Sequence, residues 1–339
     1  MKETIGSFVR RYRIYLSIVG AVLLIVFPVT LGTPYLIQVM VLVFIYIVLA
    51  SSLNLITGFT GMFSLGHGAF YGIGAYTSAI LALGLGLPFW VTMPLAGIFA
   101  ALIGAFIGLA TARLRQTFLV FGTLAFGEIV RIVIMNWPDL TRGPFGIPGI
   151  PAPTIFGFSL KGYASYYYLV MVFMALSVFA IYRLYHSRVG RAWVAIREDE
   201  TAAATMGVPV FGYKILAFSL GCLFAGLAGA FYAHFVTYIS ADQFSVTESF
   251  LILTMVAVGG TGSIVGPIIG AVILIVVPEL VRFLAQYRAV FYGLLLIVVM
   301  VVKPEGIAGV KAIFMRAPGS IGFSHKRKKP AALGSEASQ

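Results

Sequence analysis

Glu128 and Arg131 are the clearest pair of residues in this sequence whose types and spacing could do chemistry. They lie three residues apart in an apolar stretch, TFLVFGTLAFGEIVRIVIMNW, so a helix would place both on one face, where they can form an ion pair. Charges in an apolar span are costly and often functional, and an internal partner lowers that cost. The pair therefore predicts either a structural bridge inside a helix bundle or a proton-relay or transport site.

A glycine-rich segment, LNLITGFTGMFSLGHGAFYGIGAYTSAI, has the highest density of polar groups in an apolar setting. Ser64 and His67 could be the nucleophile and base of a hydrolase, but no residue pattern marks an oxyanion hole or a group that orients the base. A broken helix that lines a translocation path fits this composition better. The candidates for lining that path are Asn54, Thr60, Ser64, His67, Glu128 and Arg131.

Glycines in this segment, and in a similar segment GGTGSIVGPIIGA at 259–271, predict close helix packing. Gly68 and Gly72 form a GxxxG pair, a spacing that lets helix backbones approach each other closely. The two segments could be partners in an internal repeat. The glycines expected to serve packing are Gly61, Gly66, Gly68, Gly72, Gly262, Gly266 and Gly270.

The sequence contains no pattern typical of a metal site or of a nucleotide site. Its four histidines are scattered, and the single Cys222 lies in an apolar run, where a small core residue is expected. No GxxxxGK[ST] motif occurs, nor even a Gly-Lys dipeptide, so the chain has no P-loop of its own. We expect no cofactor on this chain.

The elements that must position these residues are helices that span a membrane. Of the 339 residues 60% are hydrophobic and only 10% charged, with a mean hydropathy of +1.01. A soluble domain carries about 25% charged residues, so a soluble enzyme, a disordered protein and a coiled coil are excluded. We predict an all-α polytopic membrane protein with about ten spans, within a range of eight to ten. The predicted spans are Ile14–Gly32, Tyr35–Ile56, Gly66–Leu87, Phe89–Ala112, Thr117–Trp137, Tyr163–Arg183, Lys214–Ile239, Ser249–Gly259, Ser263–Val281 and Ala289–Val302.

Lys and Arg residues predict the orientation of these spans. With the N-terminus inside, eighteen of the 23 fall on the inner side, four on the outer side, and Arg131 within a span. This bias predicts that both termini are cytoplasmic, and it explains the net charge of +12 without nucleic acid. We expect residues 1–320 to form the membrane domain and 321–339 to be a disordered basic tail, with membrane lipid as a partner.

Two loops are longer than the others. The outer loop, Pro138–Gly162, has five Pro and five Gly and is predicted to be ordered, either as a plain connector or as a lid or docking surface. The inner loop, Ser187–Tyr213, is predicted to hold one helix of about four turns from Arg191 to Met206. Trp193 and Ile196 share one face of that helix, and Ala202, Ala203 and Met206 form an apolar patch. Its acidic middle would repel anionic lipid, so we predict a protein partner.

Six motifs resemble those of LivM-type permease subunits of ABC importers for branched-chain amino acids, and the resemblance covers nearly the whole chain. The motifs are LNLITGFTGMFSLGHGAFYGIGAY (53–76), TLAFGEIVR (123–131), GRAWVAIREDETAAATMG (190–207), FAGLAGAFYA (224–233), VGGTGSIVGPIIGA (258–271) and VVKPEGIAG (301–309). The resemblance implies alternating access in the inner membrane of a bacterium. It also implies a second homologous permease, two ATPase subunits that bind ATP and Mg, and a periplasmic substrate-binding protein.

The resemblance further implies that the helix of the inner loop couples this chain to the ATPases. Thr201 stands where importer loops commonly have Glu, and the acidic cluster just before it could substitute. The residues expected to couple are Arg191, Trp193, Arg197, Glu198, Asp199, Glu200, Ala202, Ala203 and Gly207. Two alternatives stay open: a related importer for urea or short amides, and a proton-coupled transporter that uses Glu128 and Arg131.

Overall fold

The computed structural model describes residues 24–28, 30, 33–111, 116–155, 158–159, 162–280, 288–302 and 306–307. Within these ranges the chain is a bundle of apolar helices. Six helical segments are long and apolar enough to cross a membrane: Pro34–Phe59, Phe89–Thr111, Phe118–Met135, Tyr163–Tyr185, Val210–Val236 and Ala241–Gly259. Shorter apolar helices lie at Val265–Leu280 and Val290–Val299. The prediction of a polytopic helical membrane protein is therefore confirmed.

The helices are numbered here in chain order. They are α1 (Pro34–Asn54), α2 (His67–Gly84), α3 (Phe89–Thr111), α4 (Gln116–Met135), α5 (Pro138–Thr141), α6 (Tyr163–Tyr185), α7 (Arg188–Glu198), α8 (Glu200–Thr205), α9 (Val210–Val236), α10 (Val246–Gly259), α11 (Val265–Leu280) and α12 (Arg288–Val302). Short 3-10 turns lie at Gly143–Phe145 and Ala241–Phe244. The second to the tenth predicted spans each fall on one of these helices. Residues 14–23, 29 and 31–32 of the first predicted span, and the tail 321–339, lie outside the described residues.

Helices α2 and α9 form the centre of the bundle. Helix α9 packs against α1, α2 and α3, and most residues of α2 are buried. Their backbones touch because both helices carry glycine at the contact: a Cβ on Gly74 would overlap the backbone of Gly226, and one on Gly229 would overlap the carbonyl of Tyr71. Small residues at such crossings allow helices to approach closely in a membrane.

The predicted broken helix is present between α1 and α2. Helix α1 continues into a π-helical turn, Leu55–Phe59, and residues 61–66 are not helical although most of them are buried. Irregular backbone at membrane depth needs protein partners for its polar groups. Leu65 N donates to the hydroxyl of Thr123 at 3.0 Å, and Gly68 N donates to the hydroxyl of Ser249 at 2.9 Å.

The loop 138–162 is ordered through pairing with the chain that follows α9. Strand β1 (Ile147–Pro148) pairs antiparallel with β4 (Tyr238–Ile239), and β2 (Thr154–Ile155) pairs with β3 (Phe158–Ser159). The Trp90 indole donates to the Thr154 carbonyl at 2.8 Å, at the start of α3. The prediction of an ordered loop is confirmed for its described residues.

Candidate functional site

The loop between α6 and α9 contains two helices, α7 and α8, where one continuous helix was expected. The chain breaks at Asp199, whose backbone is extended and whose Oδ1 accepts hydrogen bonds from the backbone N of Thr201 (2.9 Å) and of Ala202 (3.0 Å). Aspartate is a preferred N-cap because its side chain satisfies the free N–H groups of a first turn. The prediction of a single helix is therefore wrong at Asp199.

The apolar face of α7 points into the bundle. Trp193 is completely buried, and its indole Nε1 donates to the carbonyl of Tyr213 at 2.9 Å. Ile196 and, on α8, Ala203 are also buried. In this conformation Trp193 and Ala203 face inward and anchor the loop, and the coupling role expected of them stays a prediction.

Two further contacts anchor the same loop. Arg197 donates from Nη1 to the carbonyl of Gly58, in the π turn after α1, at 2.6 Å. Glu200 forms an ion pair of 2.6 Å with Lys214, at the start of α9, whose side chain is 9% exposed. Within the acidic cluster, Asp199 thus caps α8 and Glu200 pairs with Lys214. These two acids have structural partners, and the expectation that the cluster replaces a missing glutamate at Thr201 gains no support.

The loop presents a small surface to the outside. Met206 is 86% exposed, and Thr205 directly before it and Ala202 about one turn before it are also exposed. Spacings of three and four residues place these three side chains on one face, which we name the docking face. The predicted apolar patch is therefore available at Ala202 and Met206 but not at Ala203. The other expected coupling residues are also exposed: Arg191, Arg197, Glu198, Asp199, Glu200 and Gly207.

The polar residues predicted to line a path around the broken helix are buried within the chain. Asn54, Thr60, Ser64 and His67 are each at most 4% exposed. His67 Nε2 bonds to the hydroxyl of Ser52 at 2.7 Å, and not to Ser64, so the described residues do not form a Ser64–His67 catalytic pair. These four side chains support the broken helix in this conformation.

Glu128 and Arg131 form the predicted ion pair on α4. Arg131 binds Glu128 through Nη2 at 2.6 Å and through Nε at 3.0 Å, and its Nη1 lies 3.5 Å from Asp242 Oδ1. The side chains of Glu128 and Arg131 are 37% and 25% exposed, on a span of which only 22% is buried. A charge that faces lipid is costly, so this face of α4 is expected to meet protein or water.

The glycines predicted to serve packing divide into two groups. Gly68, Gly72 and Gly270 are helix contacts, since a Cβ on them would press on Ser249, Phe244 and the Met255 carbonyl, respectively. Gly66 and Gly266 also leave no room for a Cβ, beside the carbonyls of Thr123 and Gly260. Gly61 and Gly262 have φ of +76° and +80°, so they serve turns instead of helix packing, and the prediction is corrected there. The contact glycines of the α2–α9 crossing were missed, although the small-residue run GLAGA in α9 could have indicated them.

Comparisons with known proteins agree with this architecture. The family model described as branched-chain amino acid transport system, permease component, matches residues 35–302. The high-affinity branched-chain amino acid transport system permease protein LivM of Escherichia coli K12 is 38% identical over 304 residues, which cover 83% of this chain and 71% of that protein. The probable branched-chain amino acid transport permease protein LivM of Methanocaldococcus jannaschii is 25% identical over 236 residues, covering 65% of this chain and 68% of that protein.

A second type of permease is also similar. The high-affinity branched-chain amino acid transport system permease protein LivH of Escherichia coli K12 is 27% identical over 288 residues, covering 78% of this chain and 91% of that protein. No solved structure matches the chain at a significant level. The family model spans most of the chain and nearly all of its described helices. This chain therefore belongs to the family of permease components of branched-chain amino acid transport systems.

Proposed function

We propose that this chain is one of two related permease subunits of an ATP-driven importer that moves leucine, isoleucine and valine across the inner membrane of a bacterium. Similarity to LivM and to LivH, which are both named for a high-affinity branched-chain amino acid transport system, supports a pair of homologous permeases. The observation that carries the proposal is the α6–α9 loop, which is anchored to the bundle at three points and presents an exposed apolar docking face.

The charge of the two ends of the bundle supports an orientation. Among the described residues, five Arg and Lys lie at the end that holds this loop: Arg183, Arg188, Arg191, Arg197 and Lys214. Arg142 and Arg288 lie at the opposite end. Positive residues collect on the cytoplasmic side, so we place the docking face in the cytoplasm and the loop 138–162 in the periplasm. ATPase subunits would bind the first, and a substrate-binding protein the second.

The chemistry of ATP takes place on the partner subunits, where ATP and Mg bind, and this chain needs no cofactor. Closure of the two ATPases would displace the docking face, and the anchors would carry that movement into the membrane helices. Glu128 and Arg131 are the path candidates whose side chains are partly exposed. In this proposal their face of α4 meets the second permease or the aqueous path between the two subunits.

The test is co-purification followed by uptake. The tagged chain is expressed with its neighbouring genes, and we expect recovery of a P-loop ATPase and of a second permease. In proteoliposomes with the binding protein, labelled leucine uptake should require ATP and should resist competition by urea or acetamide. A chain that transports alone under a pH gradient would contradict the proposal and favour the proton-coupled alternative. Strong competition by urea or acetamide would instead favour the importer for urea or short amides.

A variant of the docking face sharpens this test. Met206→Asp places a charge on an apolar contact and should abolish recovery of the ATPase while leaving the second permease bound. Met206→Leu keeps the apolar contact and serves as the matched control. Normal ATPase recovery with Met206→Asp would show that the docking face is assigned incorrectly.

A further inference from the structure

Three segments that are far apart in the sequence meet beside the α6–α9 loop. They are the end of α1 with its π turn, the turn between α10 and α11, and Arg197 of α7. Asn54 joins the first two with both ends of its amide: Nδ2 donates to the Ser263 carbonyl at 2.8 Å, and Oδ1 accepts from Gly262 N at 2.9 Å. Arg197 then joins α7 to the π turn through the Gly58 carbonyl. We name this group the inner junction.

Two glycines make the inner junction geometrically possible. A Cβ on Gly58 would overlap Asn54 Oδ1 and Gly262 N, and a Cβ on Gly262 would overlap Arg197 Nη1. The guanidinium therefore occupies the space that a side chain at position 262 would fill. Gly262 also has a φ of +80°, which residues other than glycine rarely adopt. The inner junction thus requires Arg197 and these two glycines together.

The segment after α12 joins the same group. Ile307 N donates to the Val258 carbonyl at 2.9 Å, and a Cβ on Gly306 would overlap the backbone of Gly260. A movement of α7 is therefore applied to the end of α1, to the α10–α11 turn and, through that turn, to the chain after α12. The π turn is the irregular element among them, and such turns occur frequently at functional sites.

We propose that Arg197 is a positioning residue that transmits movement of the cytoplasmic loop to the π turn and the α10–α11 turn, so that the inner junction opens and closes the inner end of the bundle. This inference rests on the proposed function. Its mechanical basis is the charge-assisted hydrogen bond from Arg197 to the Gly58 carbonyl, which is partly buried, on a residue that is exposed overall at the loop. Arg197 therefore acts on the bundle itself, whereas the docking face acts on the ATPase.

The test measures substrate transported per ATP hydrolysed in the reconstituted complex. Arg197→Gln should leave assembly and ATP hydrolysis in place and lower this ratio about five- to tenfold, the lower range of coupling between sites. Arg197→Lys keeps a cationic donor and should restore most of the ratio. Arg188→Gln removes a charge from an exposed position on the same helix and should keep the wild-type ratio. A wild-type ratio in Arg197→Gln would overturn the inference and leave the proposed function intact.

A second variant and a labelling experiment keep the test decisive if Arg197→Gln fails to assemble. Gly262→Ala retains Arg197 but fills the space of its guanidinium, and it should uncouple in the same way. For labelling, Thr57→Cys is made in a Cys222→Ala background, because Thr57 is buried in the π turn. We expect the thiol to react at different rates with and without ATP, and equal rates would overturn the inference. A wild-type complex that takes up no leucine would contradict the proposed function itself.

Discussion

Trp193 donates its indole hydrogen to the Tyr213 carbonyl, so the first helix of the α6–α9 loop is bonded to the start of α9. Along the chain, α8 and the docking face lie between Trp193 and Tyr213, and the indole of Trp193 is completely buried. The docking face therefore lies on a segment whose two ends are joined by the Trp193–Tyr213 hydrogen bond. In the proposed complex, a displacement of Met206 by the ATPase would reach α9 through this hydrogen bond.

Truncation of Trp193 should loosen this loop. We expect Trp193→Ala to lower the thermal midpoint of the detergent-solubilised chain clearly, since loss of a buried Trp side chain costs roughly 3–5 kcal/mol. Trp193→Phe keeps most of the packing and loses one hydrogen bond, worth about 1 kcal/mol. The control is Trp137→Ala, because the Trp137 side chain is 51% exposed. Equal midpoints for the two alanine variants would show that Trp193 does not anchor the loop.

The ion pair on α4 allows a double-variant experiment. Arg131→Gln leaves the Glu128 carboxylate unpaired on a span, and we expect a strong fall in the amount of folded protein in the membrane. Glu128→Gln with Arg131→Gln removes both charges and should restore insertion while uptake of leucine stays low. Folded protein is measured by fluorescence-detected size exclusion, and uptake in cells. Normal uptake by the double variant would assign the pair a structural role only.

Local patterns were sufficient to predict the helices and the Glu128–Arg131 pair. Apolar runs of about 20 residues predict spans because lipid offers no partner to a polar backbone, and an i,i+3 pair depends on one helix alone. The break at Asp199 was not predictable in this way. The low helix propensity of aspartate and its preference for N-caps permit a break at this position. The anchors that fix the break, Arg197–Gly58 and Glu200–Lys214, depend on tertiary structure.

Long-range pairing also lies outside what local patterns can predict. Asn54 is a path candidate because it is a polar group in an apolar span, and its hydrogen-bond partner Gly262 lies 208 residues away. No local pattern connects the two. Gly262 itself resembled a packing glycine, and its positive φ becomes visible only once the α10–α11 turn is known. Hydrophobic periodicity gives no information on these long-range contacts. It therefore could not predict which way a polar or small residue faces.

The α2–α9 crossing should tolerate no side chain at Gly74. Gly74→Ala would force its Cβ into the Gly226 backbone, and overpacking of this kind costs about 1–3 kcal/mol or more. We expect a lower thermal midpoint and weaker expression. Gly84→Ala is the matched control in the same helix, since a Cβ there meets nothing within 4 Å. Equal thermal midpoints for Gly74→Ala and Gly84→Ala would show that the α2–α9 crossing accommodates an added methyl group.

Phe145 offers the clearest test of the proposed periplasmic face. Its side chain is 86% exposed, while its carbonyl accepts a hydrogen bond from the Tyr238 hydroxyl at 3.2 Å and the next residue packs on the Ile239 carbonyl. An exposed aromatic on a fixed backbone is typical of an interface anchor, whose removal costs more than 1 kcal/mol. We therefore expect Phe145→Ala to weaken binding of the loaded substrate-binding protein at least about fivefold.

The measurement for Phe145 is the affinity of the binding protein for the complex in nanodiscs, together with stimulation of ATP hydrolysis. Phe179→Ala is the control, because Phe179 is 60% exposed on α6 within a membrane span and cannot reach a periplasmic partner. Basal ATP hydrolysis should remain unchanged in both variants, since neither residue lies near the docking face. Equal affinities for the two variants would remove Phe145 from the interface and would favour a connector role for the loop 138–162.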